Sequence, residues 1–195
     1  MTNVFTTPLL TPLLRLAARG GLRLAGWQTG IAQAPSPPYV LIGAPHTSNW
    51  DFPLMLAAVL LLEQDARWLG KDTLFRPPFG GVMRWLGGIP VDRSSPQNLV
   101  GQMAAVVKDN PGLILCVSPE GTRKKVERWR TGFYYIALEA GIPIVMAVLD
   151  ADAKQIRSLG HHTPYGDAER EIPEIQSRYR GFSGLLPENT VNLPD

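Results

Sequence analysis

Short apolar runs alternate with longer amphipathic stretches along most of the chain. The apolar runs are typical of strands buried in a sheet, and they span residues 39–43, 67–70, 89–91, 113–117 and 144–149. The intervening stretches predict helices over residues 49–63, 80–86, 96–108, 132–140 and 168–179, the last weakened by Pro173. A turn at residues 150–153 predicts an antiparallel return strand over residues 154–159. This alternation predicts a single α/β domain with a mixed, mainly parallel sheet flanked by helices.

The N-terminal stretch, residues 4–27, carries only three charges, on Arg15, Arg19 and Arg23. Their spacing places them on one stripe of an amphipathic helix. Two interpretations are open: a core-packing helix with a solvated arginine face, or a helix in the headgroup plane of an anionic membrane. We favour the membrane interpretation. A signal peptide would carry its positive charge before the apolar region, whereas here the charges lie within it.

Prolines at positions 35, 37 and 38 separate this helix from the rest of the chain. We therefore expect an N-terminal amphipathic helical segment over residues 1–34, one α/β domain over residues 35–180 and a loose tail over residues 181–195. The longest apolar run, residues 54–62, is about half as long as a bilayer-spanning helix.

Composition and charge narrow the function classes. A chain of 195 residues with 45% apolar residues can form one ordinary core, which excludes wholesale disorder. Its 19 cationic and 17 anionic side chains leave a net charge of +2, unlike the basic surface of a dedicated nucleic-acid-binding protein. The single cysteine, Cys116, excludes a disulfide framework and a multi-cysteine zinc site. Its position inside a predicted strand indicates a core residue rather than a nucleophile.

The loop after the first predicted strand contains His46 and Asp51, at a point where open α/β sheets place their ligands. On one continuous helix these side chains would diverge by about 140°. With His46 in the loop before the helix, the chain can fold back and bring imidazole and carboxylate together. Such a pair leaves one ring nitrogen as a general base. The alternative is that Asp51 interacts with free amides at the helix start and His46 is an ordinary loop residue.

A second polar cluster follows the buried strand 113–117. Gly121 permits a tight turn after Glu120, and the cations at positions 123–125 come next. Arg123 offers two-point contact to a phosphate, and Glu120 is available to orient one of the cations. The alternative is a solvated surface run.

Other candidate motifs are weaker. His161 and His162 lie in a segment without a carboxylate at metal-ligand spacing, so we interpret them as surface residues. The glycine pairs 80–81 and 87–88 lack the pattern of a nucleotide-binding loop.

Together, these blocks resemble the glycerolipid acyltransferases, the family of 1-acylglycerol-3-phosphate acyltransferases. The family hallmark of a His, four residues and an Asp is matched by His46 and Asp51. The remaining blocks follow in the family's order, at residues 80–84 with 88–93, at residues 119–123 and at residues 142–145. The four blocks lie between residues 39 and 150, more than half of the chain.

The resemblance implies a mechanism. His46, held by Asp51, would remove the proton of a glycerol hydroxyl as it attacks the thioester of acyl-CoA or acyl carrier protein. Neither a covalent acyl-enzyme nor a metal or other cofactor would be needed. Glu120 would orient the site. The acceptor's phosphate would be bound by the block at residues 119–123, through Gly121, Thr122 and Arg123, and by the nearby cations Lys71 and Arg93.

The implied partners are a lysophospholipid acceptor, an acyl-CoA or acyl carrier protein donor and a membrane surface, with no nucleic acid. The implied location is cytoplasmic, peripheral on the inner face of the membrane. Ser118, Lys124 and Met146 depart from the residues common in the family, which leaves the acceptor and the acyl length open. Two other functions also stay open: a thioesterase or lipid hydrolase that uses the same pair with water, and a non-catalytic module that binds anionic lipid.

Overall fold

A computed structural model describes residues 2–30, 34–91 and 96–193. Within them, seven strands form one sheet: β1 (Gln28–Gly30), β2 (Tyr39–Ala44), β3 (Asp65–Lys71), β4 (Gly88–Val91), β5 (Leu113–Val117), β6 (Ile144–Asp150) and β7 (Gln155–His162). The described α-helices are α1 (Leu10–Leu24), α2 (Asp51–Leu60), α3 (Gly80–Trp85), α4 (Pro96–Lys108), α5 (Gly132–Ala140) and α6 (Ala168–Ser177). Short 3-10 turns span Asp72–Phe75 and Pro187–Asn189.

The strand order is β1-β7-β6-β2-β5-β3-β4. Every neighbouring pair is parallel except β6 and β7, which run antiparallel. The predicted mixed, mainly parallel sheet and the antiparallel return strand are therefore confirmed. The carboxyl ends of β2, β3, β5 and β6 lie along one edge of the sheet, called here the carboxyl edge.

The central strand β2 is covered on both faces. Val40 and Ile42 belong to the core formed with α4, α5 and α6, whereas Tyr39 and Leu41 pack toward α2 and the N-terminal residues. Successive side chains of a strand point to opposite faces, so a continuous apolar run supplies both layers. Helix α2 ends at Leu60, three residues before the predicted end at residue 63. Glu63 adopts a positive φ of 61°, which a helix cannot accommodate.

Strand β1 was not predicted from the sequence. It pairs with β7 at one end of the sheet, and Gln28, Thr29 and Gly30 are all exposed. Polar and small residues on an edge strand carry no apolar alternation, so pairing with β7 alone defines this element. Residues 28–30 thus belong to the sheet rather than to the helical N-terminal segment.

Helix α1 carries an exposed leucine face, although Leu22 is buried and Leu14 packs against the core. Leu13, Leu16 and Leu24 are 64%, 68% and 93% exposed. Arg15 instead faces α2, where its Nε donates to the carbonyl oxygen of Leu60 at 3.1 Å. Helix α1 thus packs on the core through Leu14 and Leu22 and leaves Arg19 and Arg23 exposed, as the core-packing interpretation expects, whereas Arg15 and the exposed leucines depart from it. None of the helices in the described ranges is long and apolar enough to cross a membrane.

Glu171, a fully buried residue of α6, ties this helix to α5 and β7. Its carboxylate accepts the hydroxyl of Tyr134 at 2.5 Å, Nε2 of His162 at 2.6 Å and the backbone N–H groups of residues 165–167. Burial alone would raise the pKa of Glu171, but these hydrogen bonds outweigh it and lower the pKa to about 2. The interpretation of His162 as a surface residue is therefore wrong, whereas His161 is exposed.

The C-terminal segment, residues 183–191, is not the loose tail expected from its composition. It crosses the carboxyl edge, where the backbone N–H of Leu186 donates to Thr47 Oγ1 at 3.1 Å. The side-chain amide of Asn189 donates to the carbonyl oxygen of Thr47 at 3.3 Å, and Val191 is buried. These contacts attach the segment to the loop that follows β2.

Candidate active site

Two polar loops meet at the carboxyl edge. The loop after β2 carries His46, and the loop after β5 carries Glu120. The two strands are parallel neighbours, with Ile42 opposite Val117 at their carboxyl ends. This pairing brings together two loops that are separated by more than 70 residues in sequence.

The predicted contact between His46 and Asp51 is present. Nδ1 of His46 lies 3.1 Å from Oδ2 of Asp51, which is 1% exposed in the first turn of α2. The same oxygen accepts the backbone N–H groups of Thr47 at 2.6 Å and Ser48 at 2.7 Å. The carboxylate therefore closes the loop and orients the imidazole at the same time.

The geometry assigns different tasks to the two ring nitrogens of His46. A proton on Nδ1 can be donated to Asp51, which leaves Nε2 as the unprotonated nitrogen of a neutral imidazole. Among the described residues Nε2 has no hydrogen-bond partner, and the side chain is 22% exposed. The ring is thus fixed on one side and open to a reacting hydroxyl on the other, as general-base chemistry requires.

Glu120 supports the same loop from the neighbouring strand. Its Oε2 accepts the backbone N–H of His46 at 2.9 Å and the hydroxyl of Ser118 at 3.3 Å. Glu120 is only 4% exposed, and burial raises its pKa to about 7 although both hydrogen bonds act in the opposite direction. We expected this carboxylate to orient a cation, but its hydrogen bonds hold the backbone of His46 instead.

The turn after Glu120 depends on Gly121, whose φ is +67°. An added Cβ there would lie 3.1 Å from the Arg130 side chain. The two ends of the loop are tied by the backbone N–H of Arg130, which donates to the carbonyl oxygen of Pro119 at 2.7 Å. The turn holds the following cations out from the sheet.

The predicted phosphate-binding cations lie along the same edge but do not contact the His46–Asp51 pair. Arg123 is exposed beyond β5, and Lys71 is exposed at the end of β3. Neither has an ion-pair or hydrogen-bond partner in the part of the chain that the structure describes. Thr122 is also exposed, and its hydroxyl accepts the N–H of Lys124 at 3.3 Å. Arg93 lies outside the described residues.

Sequence reasoning missed two aromatic residues behind Glu120. Tyr179 is buried, donates its hydroxyl to the carbonyl oxygen of Ile42 at 3.1 Å, and packs on Trp129 with ring centroids 5.2 Å apart. Burial, and to a smaller extent the charge of Glu120, raise the pKa of Tyr179 well above its usual value. In the sequence, Trp129 and Tyr179 each stand between two arginines, at residues 128–130 and 178–180. This shared pattern is the signal that could have pointed to them.

Buried polar atoms without a partner concentrate here. Within the described residues, the buried side-chain atoms that lack a hydrogen bond are Oδ1 of Asp51, Oε1 of Glu120 and Nε1 of Trp129. Such atoms cost stability unless a water molecule or a ligand supplies the missing partner. Two of the three belong to carboxylates that hold His46.

Residues 28–150 match the family model of the acyltransferases. This match covers more than half of the chain and includes His46, Asp51 and Glu120, whereas Tyr179 lies outside it. The chain belongs to the acyltransferase family.

Individual relatives agree with the family match. The chain is 29% identical over 119 residues to the 1-acyl-sn-glycerol-3-phosphate acyltransferase of Escherichia coli (strain K12), which covers 58% of this chain and 47% of that protein. It is 37% identical over 86 residues to the enzyme of that name from Cocos nucifera, which covers 40% of this chain and 27% of that protein. The chain thus spans about half the length, or less, of the curated relatives it matches.

The fold is shared with a solved structure. The crystal structure of the 1-acyl-sn-glycerophosphate acyltransferase from Thermotoga maritima superposes with a TM-score of 0.58 at 14% identity. The superposition covers 86% of this chain and 76% of that chain. At this identity the likeness establishes the common α/β fold.

Glu120→Gln tests the electrostatics of the site. The native pKa of about 7 lies above an unfolded value near 4.5, so the free energy of unfolding of the wild type falls as pH rises between these values. Glutamine cannot ionise and can still accept the N–H of His46. We expect the variant to be more stable than the wild type at pH 8, by on the order of 2–3 kcal/mol, and similar at pH 5.

Urea unfolding at both pH values measures this difference. The control is Glu127→Gln in the same loop, whose exposed carboxylate should leave stability unchanged at either pH. A Glu120→Gln variant less stable than the wild type at pH 8 would contradict the prediction.

Proposed function

We propose that the chain is an O-acyltransferase that moves a fatty acyl group from a thioester to a hydroxyl of a lysophospholipid such as 1-acylglycerol-3-phosphate. The observation that carries the proposal is the His46–Asp51 pair, fixed through Nδ1 with Nε2 left open at the carboxyl edge. Membership of the acyltransferase family and the exposed cations along the same edge support it.

The reaction follows from the pair. Nε2 of His46 takes the proton of the acceptor hydroxyl as its oxygen attacks the thioester carbonyl carbon. Asp51 stabilises the imidazolium through Nδ1. The tetrahedral intermediate then collapses, the carbon–sulfur bond breaks, and the imidazolium returns the proton to the leaving thiolate. The products are an oxygen ester and a free thiol, and no acyl group is attached to the protein.

The acceptor's phosphate is assigned to the cations beyond β3 and β5. Arg123 can contact two phosphate oxygens at once, whereas Lys71 acts as a point charge. The tight turn at Gly121 and the adjacent Thr122 set where Arg123 stands relative to Glu120. We propose that Arg93 also binds the phosphate, because of its position in the sequence block at residues 88–93. The donor is acyl-CoA or acyl carrier protein, and the protein itself needs no metal or other cofactor.

The apolar substrates and helix α1 favour action at a membrane surface. The end of α1 lies near the carboxyl edge, because the carbonyl oxygen of Ala25 accepts Nζ of Lys154, just beyond the end of β6, at 3.4 Å. An outward leucine face flanked by the exposed Arg19 and Arg23 has the composition of a helix that lies in an anionic interface. A peripheral position on the inner face of the membrane would bring the site close to its substrates.

His46→Ala should abolish acyl transfer because it removes the general base. We expect turnover to fall by about a hundredfold or more, and the variant to stay folded with a lower melting temperature, because the buried carboxylate of Asp51 loses one of its three donors. Free thiol released from palmitoyl-CoA, with and without lysophosphatidic acid, is the measurement. His161→Ala, which removes an exposed histidine at the opposite edge, is the matched control and should keep full turnover.

Three results would overturn the proposal in different ways. Near-normal turnover in His46→Ala would exclude the mechanism. Thiol release by the wild type at equal rates with and without acceptor would indicate a hydrolase. The third result is that the wild type transfers no acyl group from any thioester donor, while vesicle binding survives His46→Ala. It would indicate a lipid-binding module.

Arg123→Lys should weaken use of the phosphorylated acceptor more than use of the acyl donor. Lysine keeps the charge but loses the two-point contact, so we expect the KM for lysophosphatidic acid to rise about tenfold with the donor KM unchanged. Arg128→Lys, an exposed arginine of the same loop, should leave both values unchanged. Equal effects of Arg123→Lys on both substrates would instead indicate a structural role.

Replacing Leu13, Leu16 and Leu24 together by Gln should weaken binding to anionic vesicles by about tenfold or more, because their apolar surface no longer enters the interface. Co-sedimentation measures the binding, which should also fall as salt rises. Tyr165→Gln is the control, since Tyr165 is 61% exposed near the opposite edge. Unchanged binding of the triple variant would show that the leucine face does not contact the membrane.

A further inference from the structure

Thr47 joins the C-terminal segment to the buried carboxylate of the His46–Asp51 pair. It is 1% exposed, and its three polar groups all have partners. Its N–H donates to Oδ2 of Asp51 at 2.6 Å, its hydroxyl accepts the N–H of Leu186 at 3.1 Å, and its carbonyl oxygen accepts Nδ2 of Asn189 at 3.3 Å. Thr47 is therefore held from two sides, by Asp51 of the His46–Asp51 pair and by the C-terminal segment, about 140 residues later in the sequence.

The C-terminal segment is built to approach Thr47 closely. Gly184 packs directly against it, and a Cβ at this position would overlap both the hydroxyl and the methyl group of Thr47. The backbone N–H of Gly184 donates to Thr190 Oγ1 at 3.1 Å, which closes the segment on itself. The carbonyl oxygen of Ser183 accepts the N–H of Ala151, just beyond β6, at 3.4 Å. The segment is thus anchored to the sheet independently of Thr47.

We propose that the C-terminal segment positions the catalytic pair and that Asn189 is a positioning residue acting through Thr47; this rests on the acyl-transfer function proposed above. Asn189 donates to the carbonyl oxygen of Thr47 and has no hydrogen bond to His46 or Asp51. The carbonyl oxygen of Thr47 and the N–H of Ser48 belong to one planar peptide group. If that group rotates, the N–H of Ser48 leaves Oδ2 of Asp51, and the carboxylate loses one of the two backbone donors that align it with Nδ1 of His46. Small displacements of this kind lower turnover without weakening substrate binding.

Asn189→Ala is the direct test. Loss of one hydrogen bond to the loop should lower kcat by about three- to tenfold, with the KM values of donor and acceptor unchanged because Asn189 contacts neither. Asn189→Asp keeps the shape but places an oxygen against the Thr47 carbonyl, so it should lower kcat further. Asn192→Ala is the matched control, since this exposed asparagine has no side-chain hydrogen bond within the described residues.

A readout independent of activity separates this proposal from the proposed function. Amide hydrogen exchange at Ser48, followed by NMR, should accelerate by about tenfold in Asn189→Ala and stay at the wild-type rate in Asn192→Ala. Unchanged exchange at Ser48 overturns the positioning role whatever the activity. The positioning role is also overturned if the KM values rise by the same factor by which kcat falls, because Asn189 would then affect substrate binding. A wild type without acyl transfer overturns the proposed function, and the role of Asn189 is overturned with it.

Discussion

The site depends on the burial of one carboxylate. Asp51 is almost inaccessible to water, and a buried charge is tolerated only when it is well hydrogen-bonded. Its Oδ2 gathers two loop N–H groups and the imidazole of His46. The same bonds that satisfy the charge also shape the loop and set the ring, so a change that disturbs the loop also disturbs the base. Fold and chemistry cannot be separated at this position.

Glu120 is a second buried carboxylate whose environment differs. It receives one backbone N–H and one hydroxyl, which do not offset its burial, and its pKa rises to about 7. Its structural role is to connect the loop after β5 to the loop after β2, across neighbouring strands. A carboxyl group that is partly neutral near pH 7 can hold a backbone N–H without requiring a cation beside it.

Local pattern predicted most of the sheet because β2, β5 and β6 are buried on both faces, and such strands must be continuously apolar. The same reasoning predicted the bounds of α4 and α5 correctly. It failed where an element is defined by a distant partner. Strand β1 exists through its pairing with β7, and the C-terminal segment is held by Thr47. Sequence spacing predicted the contact of His46 with Asp51, but not Thr47, whose partners lie about 140 residues away.

Helix α1 shows where an amphipathic pattern is ambiguous. The sequence places three arginines on one stripe and leucines elsewhere, but it does not say which side meets the protein. In the structure Arg15 turns inward, toward the end of α2. Its Nε donates to the carbonyl oxygen of Leu60, and its Nη1 lies 3.8 Å from the carboxylate of Glu63. Leu13, Leu16 and Leu24 remain exposed, where water disfavours them and a lipid interface does not. Leu14 and Leu22 pack on the core from the same helix, so these apolar contacts and the Arg15 bond together set the face that α1 offers to its surroundings.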